Sequence, residues 1–101
     1  MTTTSSPAIP AGVSDNTALQ RFELPLADGA LARIDYHRTG EVLWLDHAEV
    51  PPAFEGQGVG SRLVQGALEL VRARGERVVP VCGFVASWMR RHREFDPLRA
   101  Q

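Results

Sequence analysis

Hydrophobic and polar residues alternate along the first half of the chain, and this pattern predicts three β-strands. They cover Ala18–Leu26, Ala30–Arg38 and Glu41–Val50. Asp28-Gly29 is a strong hairpin signal between the first two, and Thr39-Gly40 is a second turn. Three strands joined by tight turns predict an antiparallel meander.

Beyond Pro51 the hydrophobic residues take up helical spacing. Their stripe predicts a helix over Ser61–Arg74, with Gly75 as its natural end. A short apolar strand, Arg77–Cys82, and a second helix, Phe84–Arg93, follow. The residues of that helix expected to face inward are Phe84, Val85, Trp88 and Met89. The predicted fold class is α/β (α+β), a three-strand meander followed by α-β-α.

The N-terminal residues 1–16 are rich in threonine, serine and proline, a composition that predicts a disordered leader. The leader lacks the basic start and apolar run of a secretion signal, and no stretch approaches the roughly 20 apolar residues of a membrane span. Residues 17–101 are expected to form a single domain. The one cysteine excludes a disulfide framework, so the expected location is the cytoplasm.

The net charge of −1 conceals an asymmetry between the two halves of the chain. All eleven basic residues are arginine. Up to Gln57 the chain has three arginines and eight acidic residues. From Gly58 onward it has eight arginines and four acidic residues. A basic half can face an anionic partner. The absence of lysine itself is most simply explained by the base composition of the genome. The basic segment lacks interleaved aromatic residues, so nucleic-acid binding is not expected.

A glycine-rich loop, EGQGVG, joins the third strand to the first helix. Gly56, Gly58 and Gly60 stand at alternate positions, where backbone N–H groups and the positive end of the helix dipole favour an anion. A P-loop is excluded because the chain has no lysine. A dinucleotide-binding fingerprint fits poorly, because its glycine spacing and its place in the fold differ. The loop therefore predicts a pyrophosphate site of another kind.

The segment resembles the cofactor motif of GNAT-type acyl-CoA N-acyltransferases, Arg/Gln-x-x-Gly-x-Gly/Ala at a strand-to-helix junction. Gly58 and Gly60 take the two glycine positions. The phrases HAEVPPAFEGQGVGSRLV and VPVCGFVASWMRRH extend the resemblance, to a small single-domain branch, over about Phe22 to Asp96. It implies that acetyl-CoA binds between two splayed strands and that an acetyl group passes to an amine of a small molecule or protein.

The resemblance places the pyrophosphate on backbone N–H groups. The expected cofactor-binding residues are Val50, Gln57, Gly58, Val59, Gly60, Ser61 and Arg62. One departure is Glu55, where the family has Arg or Gln. Its repulsion of a phosphate costs about 1–3 kcal/mol at a screened surface. Loop hydrogen bonds to a charged group contribute roughly 1.5–3 kcal/mol each, so three or four would prevail, and Arg62 could offset Glu55.

Three residues are candidates for catalysis. Cys82 ends the strand at which the cofactor groove opens, and the resemblance implies a nucleophile or acyl carrier there; the alternative is a core thiol. His47 and Glu49 are two residues apart and share one face of a strand, with Asp46 on the other. Either could deprotonate the amine, or both could be an ordinary surface pair.

Other features keep a second hypothesis open. Many GNAT enzymes carry a tyrosine after the last strand to protonate the leaving thiolate, and Tyr36 is the only tyrosine of this chain. With Glu55, this favours a non-catalytic acyl-CoA-binding or protein-interaction module as the alternative. The run Arg90–Arg93 either contacts phosphates or an acidic partner, or is a solvated helix face. No metal, nucleic-acid or membrane partner is expected, and the protein is expected to be a monomer or weak dimer.

Overall fold

The computed structural model describes residues 12–100, in which one five-stranded sheet carries two α-helices. In sheet order the strands are β1 (Ser14–Asn16), β2 (Arg21–Pro25), β3 (Leu31–Thr39), β4 (Val42–Glu49) and β5 (Arg77–Pro80). Strands β1 to β4 pair antiparallel, whereas β5 runs parallel to β4. The helices are α1 (Val59–Ala73), between β4 and β5, and α2 (Gly83–Arg90). The predicted α+β class is confirmed.

Three short 3-10 helices complete the described chain, at Ala27–Gly29, Pro52–Phe54 and Arg93–Leu98. The first forms the turn predicted at Asp28-Gly29. Helix α1 ends as expected: Gly75 has a φ of +71°, and the N–H of Glu76 reaches the carbonyl of Val71 at 3.1 Å. This Schellman arrangement satisfies carbonyls at the end of the helix.

Strand β1 was not predicted, because its three residues are polar and carry no alternating pattern. It pairs with β2 from Ser14 onward. Asp15 fastens it further, since its carboxylate accepts hydrogen bonds from Tyr36 Oη at 2.7 Å and from Arg74 Nη1 at 2.9 Å. The leader predicted for residues 1–16 thus overlaps the first strand of the sheet. Residues 1–11 lie outside the described residues.

The core lies between the inner face of the sheet and the two helices. Its largest fully buried side chains are Trp88, Phe22, Ile34, Leu43, Leu45, Leu63, Leu68, Met89, Val64, Val71, Val78 and Val85. These residues come from β2 to β5 and from both helices, so a single core holds the whole unit together. None of the helices within residues 12–100 is long and apolar enough to cross a membrane.

A bulge in β4 changes which of its side chains face the core. Consecutive residues of β3 pair with Leu45 and His47, so Asp46 is left without a partner in that ladder. Before the bulge Leu45 is buried; after it Ala48 and Val50 pack inward. Asp46 and His47 are both exposed. The expectation that Asp46 lies opposite His47 assumed a regular strand, and the bulge removes that regularity.

Strands β4 and β5 separate after Leu45. Their parallel pairing ends at Leu45 opposite Pro80, and Cys82 N donates a last bond of 2.8 Å to the Leu45 carbonyl. Within residues 12–100 no backbone hydrogen bond joins the rest of β4 to the chain beyond Cys82. One edge of β4, from Asp46 to Glu49, is therefore free where α2 begins.

Helix α2 is shorter than predicted, because it ends at Arg90 and the chain continues into a 3-10 helix. Val85, Trp88 and Met89 are buried as expected. Phe84 is the exception, with 45% of its surface exposed. It occupies the first turn of α2, beside the gap between the strands, so its ring faces that opening and not the core.

Candidate functional site

A cavity of about 500 Å³ lies where β4, the start of α1 and α2 meet. Its walls are mostly apolar or glycine. They are formed by Ala48, Val50, Phe54, Glu55, Gly56, Gly58, Val59, Gly60, Ser61, Leu63, Phe84 and Arg91. The predicted glycine loop is thus part of the cavity wall, together with the inward-facing residues that follow the β4 bulge.

The first turn of α1 presents unpaired backbone donors to this cavity. The first helical hydrogen bond is from Arg62 N to the Gly58 carbonyl, at 3.1 Å, and no side chain caps the helix. Within the described chain, the N–H groups of Val59, Gly60 and Ser61 therefore have no acceptor. They lie at the positive end of the helix dipole, an arrangement that favours an anion.

Glycines give this turn its shape. Gly56 and Gly58 both have φ of +79°, a left-handed conformation that L side chains rarely adopt. Gly60 is helical, but a Cβ there would lie 2.7 Å from Phe84 Cζ. The loop therefore has room for a phosphate group beside its N–H groups, and a side chain at position 60 would displace the Phe84 ring. An acyl-CoA pyrophosphate fits this cradle.

The side chain of Ser61 has a structural partner. Its Oγ accepts a 2.8 Å hydrogen bond from Trp88 Nε1. Trp88 stacks on His92 with ring centroids 3.7 Å apart, and His92 Nδ1 lies 2.8 Å from the Trp88 carbonyl. The hydroxyl thus joins α1 to α2, while the Ser61 N–H stays available to a ligand.

Two of the residues that line the cavity carry a charge, Glu55 and Arg91. Arg91 Nη1 donates to Ser87 Oγ at 2.9 Å, which holds the guanidinium near the end of α2. Arg62, the residue expected to offset Glu55, is exposed and does not line the cavity. Of the basic run Arg90–Arg93, one member reaches the cavity, and Arg93 pairs with Asp96 at 2.8 Å.

His47 and Glu49 lie together on the outer face of the sheet. Their side chains are 58% and 52% exposed, and His47 Nε2 is 3.3 Å from Glu49 Oε1. Arg33 Nη2 donates to the same oxygen at 3.1 Å. The shared face was correctly predicted. Neither residue lines the cavity, which lies on the inner side with Ala48, so their catalytic role stays a prediction.

Cys82 stands where the strands separate. It is the residue before α2, half-buried and packed against the core, and the cavity lining does not include it. Both the acyl-carrier role and the core-thiol role agree with this position. Cofactor binding by Gln57 and Arg62 also stays a prediction, because neither residue is among those that line the cavity.

Sequence reasoning missed several of the cavity residues. Phe54 and Ala48 had no distinguishing signal, and Phe84 was expected in the core. Arg91 was noted only as part of a basic run. Among residues 12–100 there is no group of three or more His, Cys, Asp or Glu that could hold a metal ion.

The chain belongs to the GCN5-related N-acetyltransferase family, whose sequence pattern it matches over residues 21–98. The match spans the sheet from β2 onward, both helices and the whole cavity. The predicted membership of the GNAT superfamily is thereby confirmed.

A solved structure shows the same fold. It is the NMR solution structure of a GCN5-like candidate N-acetyltransferase from Staphylococcus aureus, with a TM-score of 0.67 and 21% sequence identity. The similarity covers 86% of this chain and 85% of that one. No curated protein sequence matches the chain significantly.

Proposed function

We propose that this protein transfers an acetyl group from acetyl-CoA to an amine. The observation that carries the proposal is the set of unpaired N–H groups at Val59, Gly60 and Ser61, which open onto a cavity beside a free strand edge. Membership of an N-acetyltransferase family supplies the reaction class. Acetyl-CoA supplies the acetyl group as an activated thioester.

Cofactor binding follows from the two features of the cavity. The N–H groups of residues 57–61 hold the pyrophosphate, because several donors at a helix N-terminus stabilise an anion. The free edge of β4 beside Val50 offers backbone groups to the amide chain of CoA, and the apolar wall around Phe54 and Leu63 excludes water from it. Arg62 adds positive charge near the loop.

Acetyl transfer to nitrogen needs a neutral amine. In the direct route His47 or Glu49 removes the proton of the ammonium group through the gap beyond Leu45, with water as a relay. The amine nitrogen then attacks the carbonyl carbon of the thioester. The carbon–sulfur bond breaks, and the surplus proton of the nitrogen passes through water to the leaving thiolate of CoA. The connections β1–β2 and β2–β3 are only a few residues long and contain no α-helix that could cover the acceptor side, which suits a small or a macromolecular amine.

In the two-step route Cys82 carries the acetyl group. Its sulfur attacks the thioester carbon, a new thioester forms on Cys82, and the CoA thiol leaves with the proton. The amine then attacks this acyl-cysteine and restores the thiol. The position of Cys82 at the separation of β4 and β5 supports this route.

A second function is supported by the same residues. Tyr36, the only tyrosine of the chain, is buried and bonded to Asp15, so it cannot protonate a leaving thiolate. His47 and Glu49 are on the outer face. A module that binds acyl-CoA without turnover would need the loop and the cavity alone.

Intact mass and CoA release distinguish these functions. The purified protein is incubated with acetyl-CoA, with and without a panel of amines, and free CoA thiol is measured. Amine-dependent release in the wild type supports transfer. A gain of one acetyl group that Cys82→Ser abolishes supports the two-step route, whereas turnover retained in Cys82→Ser supports the direct one.

Loss of amine-dependent release in His47→Ala, but not in the matched His37→Ala, would identify His47 as the base. Cofactor binding without turnover would support the second function, a module that binds acyl-CoA without catalysing transfer. No thermal stabilisation by CoA or acetyl-CoA would overturn both functions.

A further inference from the structure

Among the described residues, one basic residue lines the cavity, and it directly follows α2. Among the described residues that line it, Arg91 is the sole cation and Glu55 the sole anion. The two residues belong to different parts of the chain: Glu55 is in the glycine loop, and Arg91 directly follows the last residue of α2.

Hydrogen bonds to Ser87 hold the Arg91 guanidinium in place, but no carboxylate of the described residues neutralises its charge. Its Nη1 donates to Ser87 Oγ at 2.9 Å and approaches the Ser87 carbonyl at 3.4 Å. Within residues 12–100 no carboxylate lies in ion-pair distance of it, whereas Arg93 pairs with Asp96. A guanidinium has five N–H donors in a planar fork, so most of its donors are left for a ligand.

The neighbouring arginines do not share this placement. All three arginines, Arg91 included, are exposed, but Arg90 and Arg62 do not line the cavity. The basic run Arg90–Arg93 is therefore not a uniform phosphate-binding surface.

We propose that Arg91 is the side chain that binds a phosphate group of the cofactor and offsets the charge of Glu55. This inference rests on the proposed function, since it takes the ligand to be a CoA. Its physical reason is local: a pyrophosphate held by the N–H groups of α1 stands in the same cavity as Glu55, and the guanidinium of Arg91 supplies the opposite charge. Ser87 acts as a positioning residue, because it restrains the guanidinium before a ligand arrives.

The test compares Arg91→Gln with Arg90→Gln, an exposed neighbour outside the cavity, by calorimetric titration. Three ligands separate the phosphates: CoA, dephospho-CoA without the 3′-phosphate, and pantetheine without any phosphate. We expect Arg91→Gln to weaken CoA binding by about tenfold or more, the value of one charge-assisted hydrogen bond. Arg90→Gln should stay within about twofold of the wild type. Glu55→Gln should tighten binding, and Ser87→Ala should weaken it less than Arg91→Gln does.

The ligand series identifies the phosphate. A loss that persists with dephospho-CoA assigns Arg91 to the pyrophosphate, and a loss seen only with CoA assigns it to the 3′-phosphate. Pantetheine should bind both variants equally. Equal CoA affinity of Arg91→Gln and the wild type overturns the role of Arg91 and leaves the proposed function intact. If the wild type binds none of the three ligands, the proposed function itself fails.

Discussion

Trp88 donates its indole N–H to the hydroxyl of Ser61 at 2.8 Å, and this bond ties α2 to the first turn of α1. Trp88 is only 1% exposed, so its indole depends on Ser61 and not on bulk water for a hydrogen-bond acceptor. The same turn presents the N–H groups that face the cavity. The wall of the candidate site is therefore anchored to the core by one polar contact.

Replacing Ser61 with alanine should lower the free energy of unfolding by about 1–3 kcal/mol, because the buried indole N–H loses its acceptor. Chemical denaturation measures this loss. The matched control is Ser87→Ala, whose hydroxyl bonds an exposed arginine and whose loss should cost less than about 0.5 kcal/mol. Equal unfolding free energies in the two variants would contradict the structural role of the Ser61 hydroxyl.

Replacing Gly60 with alanine should separate stability from binding. The new Cβ would lie 2.7 Å from Phe84 Cζ, so the half-exposed ring must turn aside. Alanine also favours a helix over glycine by about 0.8–1 kcal/mol, so the unfolding free energy should change by less than about 1 kcal/mol. The displaced ring enters the cavity, and CoA affinity measured by calorimetry should fall.

Gly83→Ala is the control for this substitution, because an added Cβ there meets nothing within 4 Å. The double variant Gly60→Ala with Phe84→Ala should regain part of the lost affinity. A single variant that binds CoA as well as the wild type would show that the ring does not border the bound cofactor.

Tyr36 should be the main cause of the decrease in unfolding free energy at alkaline pH. Burial, followed by the hydrogen bond to Asp15, raises the pKa of Tyr36 to about 12. The folded state therefore favours the protonated phenol. Its contribution is complete below the unfolded pKa of about 10 and is lost as pH rises through the folded value. Denaturant titration across this pH range should show a decline that Tyr36→Phe abolishes.

Few other side chains of this protein change their charge in the same pH range. The chain has no lysine, one tyrosine and one cysteine, and its arginines stay charged at these pH values. Cys82→Ser in both backgrounds removes the remaining thiol. An unchanged slope in Tyr36→Phe would place the alkaline loss elsewhere.

Glu76 links two arginines near the start of β5. Its Oε2 lies 2.7 Å from Arg38 Nη1 and its Oε1 lies 3.4 Å from Arg74 Nε, and the side chain is mostly buried. Glu76→Gln should lower the unfolding free energy by about 1–2 kcal/mol, because a charge-assisted hydrogen bond becomes a neutral one. The deficit should shrink in high salt. Glu69→Gln, on the exposed face of α1, is the control.

Most of the architecture could be predicted from residue patterns. Strands β2 to β4 show alternation because one face packs on helices while the other meets solvent, and α1 shows a full apolar stripe for the same reason. Strand β1 could not be found this way: its polar residues are held by pairing with β2 and by the bonds of Asp15. Such long-range contacts leave no periodic signal.

The site was predictable only in part. The glycine loop could be recognised in the sequence, because its positive φ angles require glycine. The bulge at Asp46 is set by how β4 pairs with β3, so alternation alone could not place Ala48 in the cavity. Arg91 and Phe84 reach the cavity because of where α2 begins and ends, which local sequence does not reveal.

The free edge of β4 also bears on self-association. An unpaired strand edge is a template on which another chain can add a strand. Here the open stretch is only a few residues long: the bulge at Asp46 stands at one end of it, and Pro51-Pro52 follows at the other. Bulges twist a strand and proline lacks the N–H that pairing needs. The protein thus has an open sheet edge beside its cavity, but this edge is too short and too irregular for strands of other chains to pair with it extensively.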